Sequence, residues 1–229
     1  MSARLLRDTL RLMRKYVVSD VNGDLPIWLR LRLWHSMKNV FGDQSFLRRS
    51  CLALYVCAEI LRHWDNADMP TKYAALPKTA FEVARHFLLG IFSKRTLEAV
   101  CSDYNAQDEE CMCICKWEEK GEAVLAYTGS AFVLDRVLQR DDELYEAHDL
   151  YTSSFADSES VRPTEEYLGE HMFWDVYFVG SIIAAKGPYW YADRCDNELR
   201  RRYWLRWIDE TVPQFLGDVA TAKAKGLLA

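Results

Sequence analysis

The stretch MFWDVYFVGSIIAA, residues 172–185, is apolar on every side of a helical wheel and carries one charge, Asp175. A surface helix keeps a polar face, so a stretch without one belongs in the interior. It is also shorter than the roughly 20 apolar residues needed to cross a bilayer. The reading places a central helix over Thr164–Lys186, stopped by Gly187-Pro188.

The segments around it repeat their apolar residues at helical spacing. Leu5, Leu6, Leu10, Met13, Tyr16 and Val17 form a stripe with arginines between them. Asn22-Gly23-Asp24 is a turn, and Pro26 suits the first turn of a second helix that ends near Gly42. Gln44–Trp64 is a long third helix. A fourth region runs to Ile91, interrupted or begun at Pro77. Lys94–Cys101 reads as a short helix followed by an irregular acidic stretch, and Glu118–Gln139 as a helix whose small residues permit close packing. Asp196 opens a last long helix, broken or kinked at Pro213. No segment alternates with period two between hairpin turns. The fold class is therefore all-α: a single irregular domain of about eight to ten helices around the central apolar one. A Ser- and Asp-rich loop at 152–163 is the one internal place for a boundary.

Composition agrees with a buried core. Half of the 229 residues are hydrophobic, and eight Trp on a surface would create apolar patches that soluble chains seldom carry. Trp28, Trp34, Trp64, Trp174, Trp204 and Trp207 are accordingly expected inside. Residues 1–20 spread their arginines along the stretch, unlike a signal peptide, and seven Cys is an odd count. Both point to reduced thiols in the cytoplasm.

Charge is distributed unevenly. Residues 1–50 carry a net +6 and residues 101–170 a net −13, within a chain of net −5. That total argues against a general nucleic-acid binder, whose footprint is basic. The acidic block could steer a basic partner, or be a set of solvated helix faces.

Several clusters invite a chemical reading. Cys111-x-Cys113-x-Cys115 lacks the second pair that a structural zinc site requires, so its thiols read as small hydrophobes. Glu59-x-x-x-His63 and Glu82-x-x-x-His86 each set a carboxylate and an imidazole on one helix face, at a spacing that differs from the di-iron Glu-x-x-His signature. The dipeptide His148-Asp149 is used by all-helical metal phosphohydrolases, but no spacing selects its partners among His63, His86, Asp157 and Asp175. No phosphate-cradling glycine loop, G-x-S-x-G or H-E-x-x-H occurs, so no cofactor, metal or catalytic residue is assigned. In Arg200-Arg201-Arg202-Tyr203-Trp204-Leu205-Arg206-Trp207 the aromatics fall on one side and Arg202 and Arg206 on another. Such a helix buries its rings and exposes or pairs its arginines.

An ordered set of these residues resembles a helical immunity-protein family of bacterial polymorphic toxin systems. The set is Leu25-Pro26 leading into Leu31-Arg32-Leu33-Trp34, then Arg48-Arg49, then Leu61-x-x-Trp64. It continues with the helix Ala123–Gln139 and Asp141-Asp142, Phe173-Trp174 before Ala184-Ala185, Asp196, Arg200-Arg201-x-Tyr203-Trp204-x-x-Trp207, and Val212-Pro213. The basic first helix and the segment from Asp108 to Cys115 fall outside the resemblance. What it implies is a non-enzymatic protein that binds and blocks a cognate toxin, rather than nucleic acid or membrane. A helical phosphohydrolase centred on His148-Asp149 and a generic helical adaptor are the alternatives. The expected toxin-facing residues are Asp108, Glu109, Glu110, Asp141, Asp142 and Glu143, because nuclease-type toxins hold phosphates in basic clefts that an acidic surface can occupy.

Overall fold

Helices supply the regular structure of the described residues, which are 2–65, 70–114, 117–138, 175–187 and 195–217 of a computed structural model. In chain order they are α1 (Ser2–Ser19), α2 (Ile27–Phe41), α3 (Gln44–Asp65), α4 (Thr71–Ala74) and α5 (Leu76–Leu88). Then come α6 (Lys94–Ile114), α7 (Trp117–Val137), α8 (Val176–Ala184) and α9 (Asn197–Arg206). A π-helical turn, Trp207–Thr211, leads from α9 into α10 (Val212–Leu216). The all-α class is thus the observed one, and no strand occurs among the described residues.

Local sequence sets most of the boundaries. Pro26, extended at φ −66° and ψ 154°, stands immediately before α2, and Gly42 closes that helix at φ 55°, where a Cβ would be strained. Pro77 sits in the first turn of α5, where its missing N–H has no intrahelical partner to lose. Pro213 has no N–H to bond the carbonyl four residues back, and its ring would crowd that carbonyl. The chain widens just before it, and the N–H of Val212 reaches back five residues to Trp207. The expected break at Pro213 is therefore a π-turn.

Two boundaries differ from the sequence reading. Asp175 is not inside a helix that runs over Thr164–Lys186. Its backbone is extended (φ −143°, ψ 170°), and its carboxylate accepts the Phe178 N–H at 2.7 Å as the N-cap of α8. Residues 164–174 lie outside the described residues. The acidic stretch after Cys101 is not irregular, because α6 continues unbroken through it to Ile114.

α8 is the centre of the packing. Val176, Tyr177, Val179 and Ile182 are essentially inaccessible, and the helix touches α3, α7 and α9. On one side α3, α5, α6 and α7 pack together; on the other α1 lies on α2 and against α9. Two aromatic clusters fasten the helices to one another. Trp34, Tyr177, Trp204 and Trp207 tie α2, α8, α9 and the π-turn together, with ring centroids 5.2–6.0 Å apart. Tyr104 and Tyr127 stack at 4.4 Å between α6 and α7, and each hydroxyl donates to the other's backbone carbonyl. Trp34, Trp64, Trp204 and Trp207 are buried as expected. Trp28 is only half-buried, meeting Tyr16 edge-on at 6.0 Å, and Trp174 lies outside the described residues.

Candidate functional site

A group of buried polar side chains lies where α8, α2 and α9 meet. Arg30 comes from the first turn of α2, 1% exposed, and donates through Nε to the Asp175 carboxylate at 2.8 Å. The same guanidinium bonds the Leu25 carbonyl and lies between the rings of Phe178 (5.6 Å) and Trp204 (5.4 Å). The Trp204 indole N–H donates to Asp24 at 3.0 Å, and Asp24 also accepts the Leu25 N–H. The Tyr203 hydroxyl donates to the Tyr177 carbonyl at 3.0 Å, and burial, reinforced by the Asp175 charge, pushes its pKa well above the ordinary tyrosine value. Arg200, also fully buried, donates to the Gly187 carbonyl at 3.0 Å and to the Cys195 sulfur.

The Arg30–Asp175, Trp204–Asp24, Tyr203–Tyr177 and Arg200–Gly187 bonds each join two separate segments of chain. The arginine- and aromatic-rich helix thus buries Trp204, Trp207 and Ile208, while Arg202 and Arg206 stay exposed. Arg206 reaches across to Glu59 on α3 at 2.9 Å. Arg201 holds the end of α1, donating to the Asp20 carbonyl at 2.9 Å. The arrangement is a clamp, chemically suited to fixing helices rather than to moving protons.

The carboxylate–imidazole pairs separate in the same way. His63 bonds Glu122 on α7 at 2.6 Å rather than Glu59. Glu82 pairs with Arg85 at 2.8 Å, while His86 stands edge-on to the Phe92 ring at 5.1 Å. Among the described residues no group of three or more His, Cys, Asp or Glu side chains is placed to hold a metal. Cys51 and Cys57 are buried, and burial raises both thiols, Cys51 to about 11.

The remaining candidates are only partly within reach. Asp108, Glu109 and Glu110 sit on the C-terminal half of α6, with their side chains outside the described set, as are those of Cys111 and Cys113. Cys115, Asp141, Asp142, Glu143, His148, Asp149 and the 152–163 loop lie outside the described residues. Sequence reasoning missed the Arg30–Asp175 pair, 145 residues apart in the chain. The signal was a lone charge between large apolar neighbours at both positions, Leu29-Arg30-Leu31 and Trp174-Asp175-Val176. No described helix is long and apolar enough to cross a membrane.

A comparison with curated proteins finds no match to this chain. A family model, described as immunity protein Imm5, matches residues 10–214. That span takes in the second half of α1 and the Asp108–Ile114 part of α6, both beyond the resemblance read from the motifs, and it includes the entire Arg30–Asp175 clamp. The chain belongs to the Imm5 family of immunity proteins.

Proposed function

We propose that this protein binds and neutralises a cognate toxin in the cytoplasm of the bacterial cell that makes it, without catalysing a reaction. The observation that carries the reading is the family match over residues 10–214. It is supported by the use made of the polar side chains described above: His63, Glu59, Glu82, Arg30 and Asp175 each bond a partner that fixes a helix or its neighbour. The acidic block of Asp108, Glu109, Glu110, Asp141, Asp142 and Glu143 is the proposed contact for a basic, nuclease-type toxin domain. Its support is the net −13 of residues 101–170, since a cleft that grips phosphates is itself basic.

Co-expression with the products of adjacent genes tests the reading. Rescue of growth from one such product, together with a stable complex of the two proteins, is the expected result. Bound stoichiometric metal and a phosphatase or nucleotidase activity abolished by His148→Ala would overturn it.

A further inference from the structure

The outward stripe of α1 is rich in arginine and ends on two bare valines. Arg4, Arg7, Arg11, Arg14 and Val18 follow one another at three- and four-residue steps and are all exposed, so they line one face of the helix. The opposite stripe, Leu6, Met13 and Val17, is buried. Asp8 is shared by Arg4 at 3.6 Å and Arg11 at 3.7 Å, and Arg14 meets Asp209 at 3.1 Å. Pairs this exposed hold little energy and give way readily to a better partner. With Lys15 also exposed beside the stripe, the face keeps a positive balance.

Val18 is 53% exposed and Val21, at the tip of the α1–α2 turn, is 85% exposed. The turn beneath Val21 is tied down from several directions. The Asp20 carboxylate accepts the N–H groups of Asn22 and Asp24 at 2.9 and 3.0 Å, and the Asp20 carbonyl accepts Arg201 at 2.9 Å. Gly23, at φ 64°, lies so near α9 that a Cβ there would stand 2.6 Å from the Asn197 carbonyl oxygen. An apolar side chain held out on so constrained a turn loses little further freedom on docking. Arginine is enriched at protein interfaces, which set an apolar core within a polar rim.

We propose that this face of α1, anchored by Val18 and Val21, is a second docking surface on this protein, which takes an acidic flank of the cognate toxin. The proposal rests on the immunity reading and extends it, because a contact of opposite sign to the acidic block would fix the orientation of the complex. Charge complementarity selects an acidic partner. The two valines select a protein over nucleic acid, whose phosphates offer them no apolar hollow. The apolar stripe of α1 is already buried in the fold, so the helix has no free apolar face of the kind that lies in a bilayer surface.

The probe is the adjacent gene product from which the wild-type chain rescues growth, carrying a substitution that removes its toxicity. The variants are Val18→Asp/Val21→Asp and, separately, Arg7→Glu/Arg11→Glu/Lys15→Glu, all at exposed positions. Both should keep the wild-type thermal midpoint. The valine variant should weaken Kd by about tenfold or more. The charge variant should slow association by about tenfold at low salt and flatten its dependence on ionic strength. Binding by both variants within about twofold of wild type overturns the docking surface while leaving the immunity reading intact. Loss of binding to a DNA duplex, to phosphatidylserine vesicles or to a second copy of this chain, with toxin binding unchanged, overturns it in favour of that occupant. A wild-type chain that rescues from no neighbouring product overturns the immunity reading and this proposal together.

Discussion

The Arg30 guanidinium meets the Asp175 carboxylate at 2.8 Å inside the protein, and the same carboxylate caps α8 through the Phe178 N–H. One side chain thus starts the central helix and ties it to α2. Removing either partner leaves the other charge buried and uncompensated, which typically costs about 3–5 kcal/mol. Arg30→Ala and Asp175→Ala should each destabilise by that order in urea unfolding. The double variant should cost less than the two single losses added together. Full additivity would mean that the pair does not interact.

Gly180 on α8 faces Tyr203 so closely that a Cβ would stand 2.3 Å from the phenolic oxygen and 3.0 Å from its ring carbon. Gly180→Ala should therefore destabilise by about 1–3 kcal/mol through overpacking, despite the better helix propensity of alanine. Adding Tyr203→Phe removes the clashing oxygen, although it also forfeits the bond to the Tyr177 carbonyl. The double variant should recover part of the loss in a thermal melt. No recovery would place the strain elsewhere.

Burial predicts a graded tryptophan series. Trp34 and Trp207 are almost inaccessible, and their alanine variants should each cost about 3–5 kcal/mol. Trp28, half-buried, should lose visibly less under the same denaturant titration. Equal losses at all three positions would contradict the observed packing.

Thiol chemistry should follow the pKa directions. Burial lifts Cys51 to about 11, with Arg48 pulling slightly the other way, and burial alone lifts Cys57 further. At pH 8 both are thiols in the folded protein, so neither supplies the thiolate that alkylates. Iodoacetamide with peptide mass mapping should leave both unmodified until denaturant is added. Native labelling at the rate of a free cysteine would show that the α3 core opens.

The acidic contact makes a prediction of its own. Changing Asp141, Asp142 and Glu143 to Lys, and separately Asp108, Glu109 and Glu110 to Lys, should slow toxin association and reduce its salt sensitivity in at least one variant. Stopped-flow binding across ionic strength measures both. Unchanged kinetics in both variants would remove the block from the interface.

Much of this protein is determined locally, and local signals are what a sequence carries. Pro26, Gly42 and Pro77 limit what the backbone can do at their own positions, so the ends of α2 and the start of α5 follow from chain chemistry alone. The unbroken apolar character of Val176–Ile183 required a central helix, and the spacing of Tyr203, Trp204, Trp207 and Ile208 required a buried face. The acidic stretch of α6 read as irregular because its own charges give weak periodicity; anchoring of its first turns by Leu97, Cys101 and Tyr104 carries the helix through it. Only the tertiary structure decided that Asp175 caps α8. Its partner Arg30 is 145 residues away, and no local pattern can name a partner at that distance. The same holds for His63, which the sequence set beside Glu59 and the fold gave to Glu122, because a helix face states which side chains are neighbours but not which other helix will arrive there.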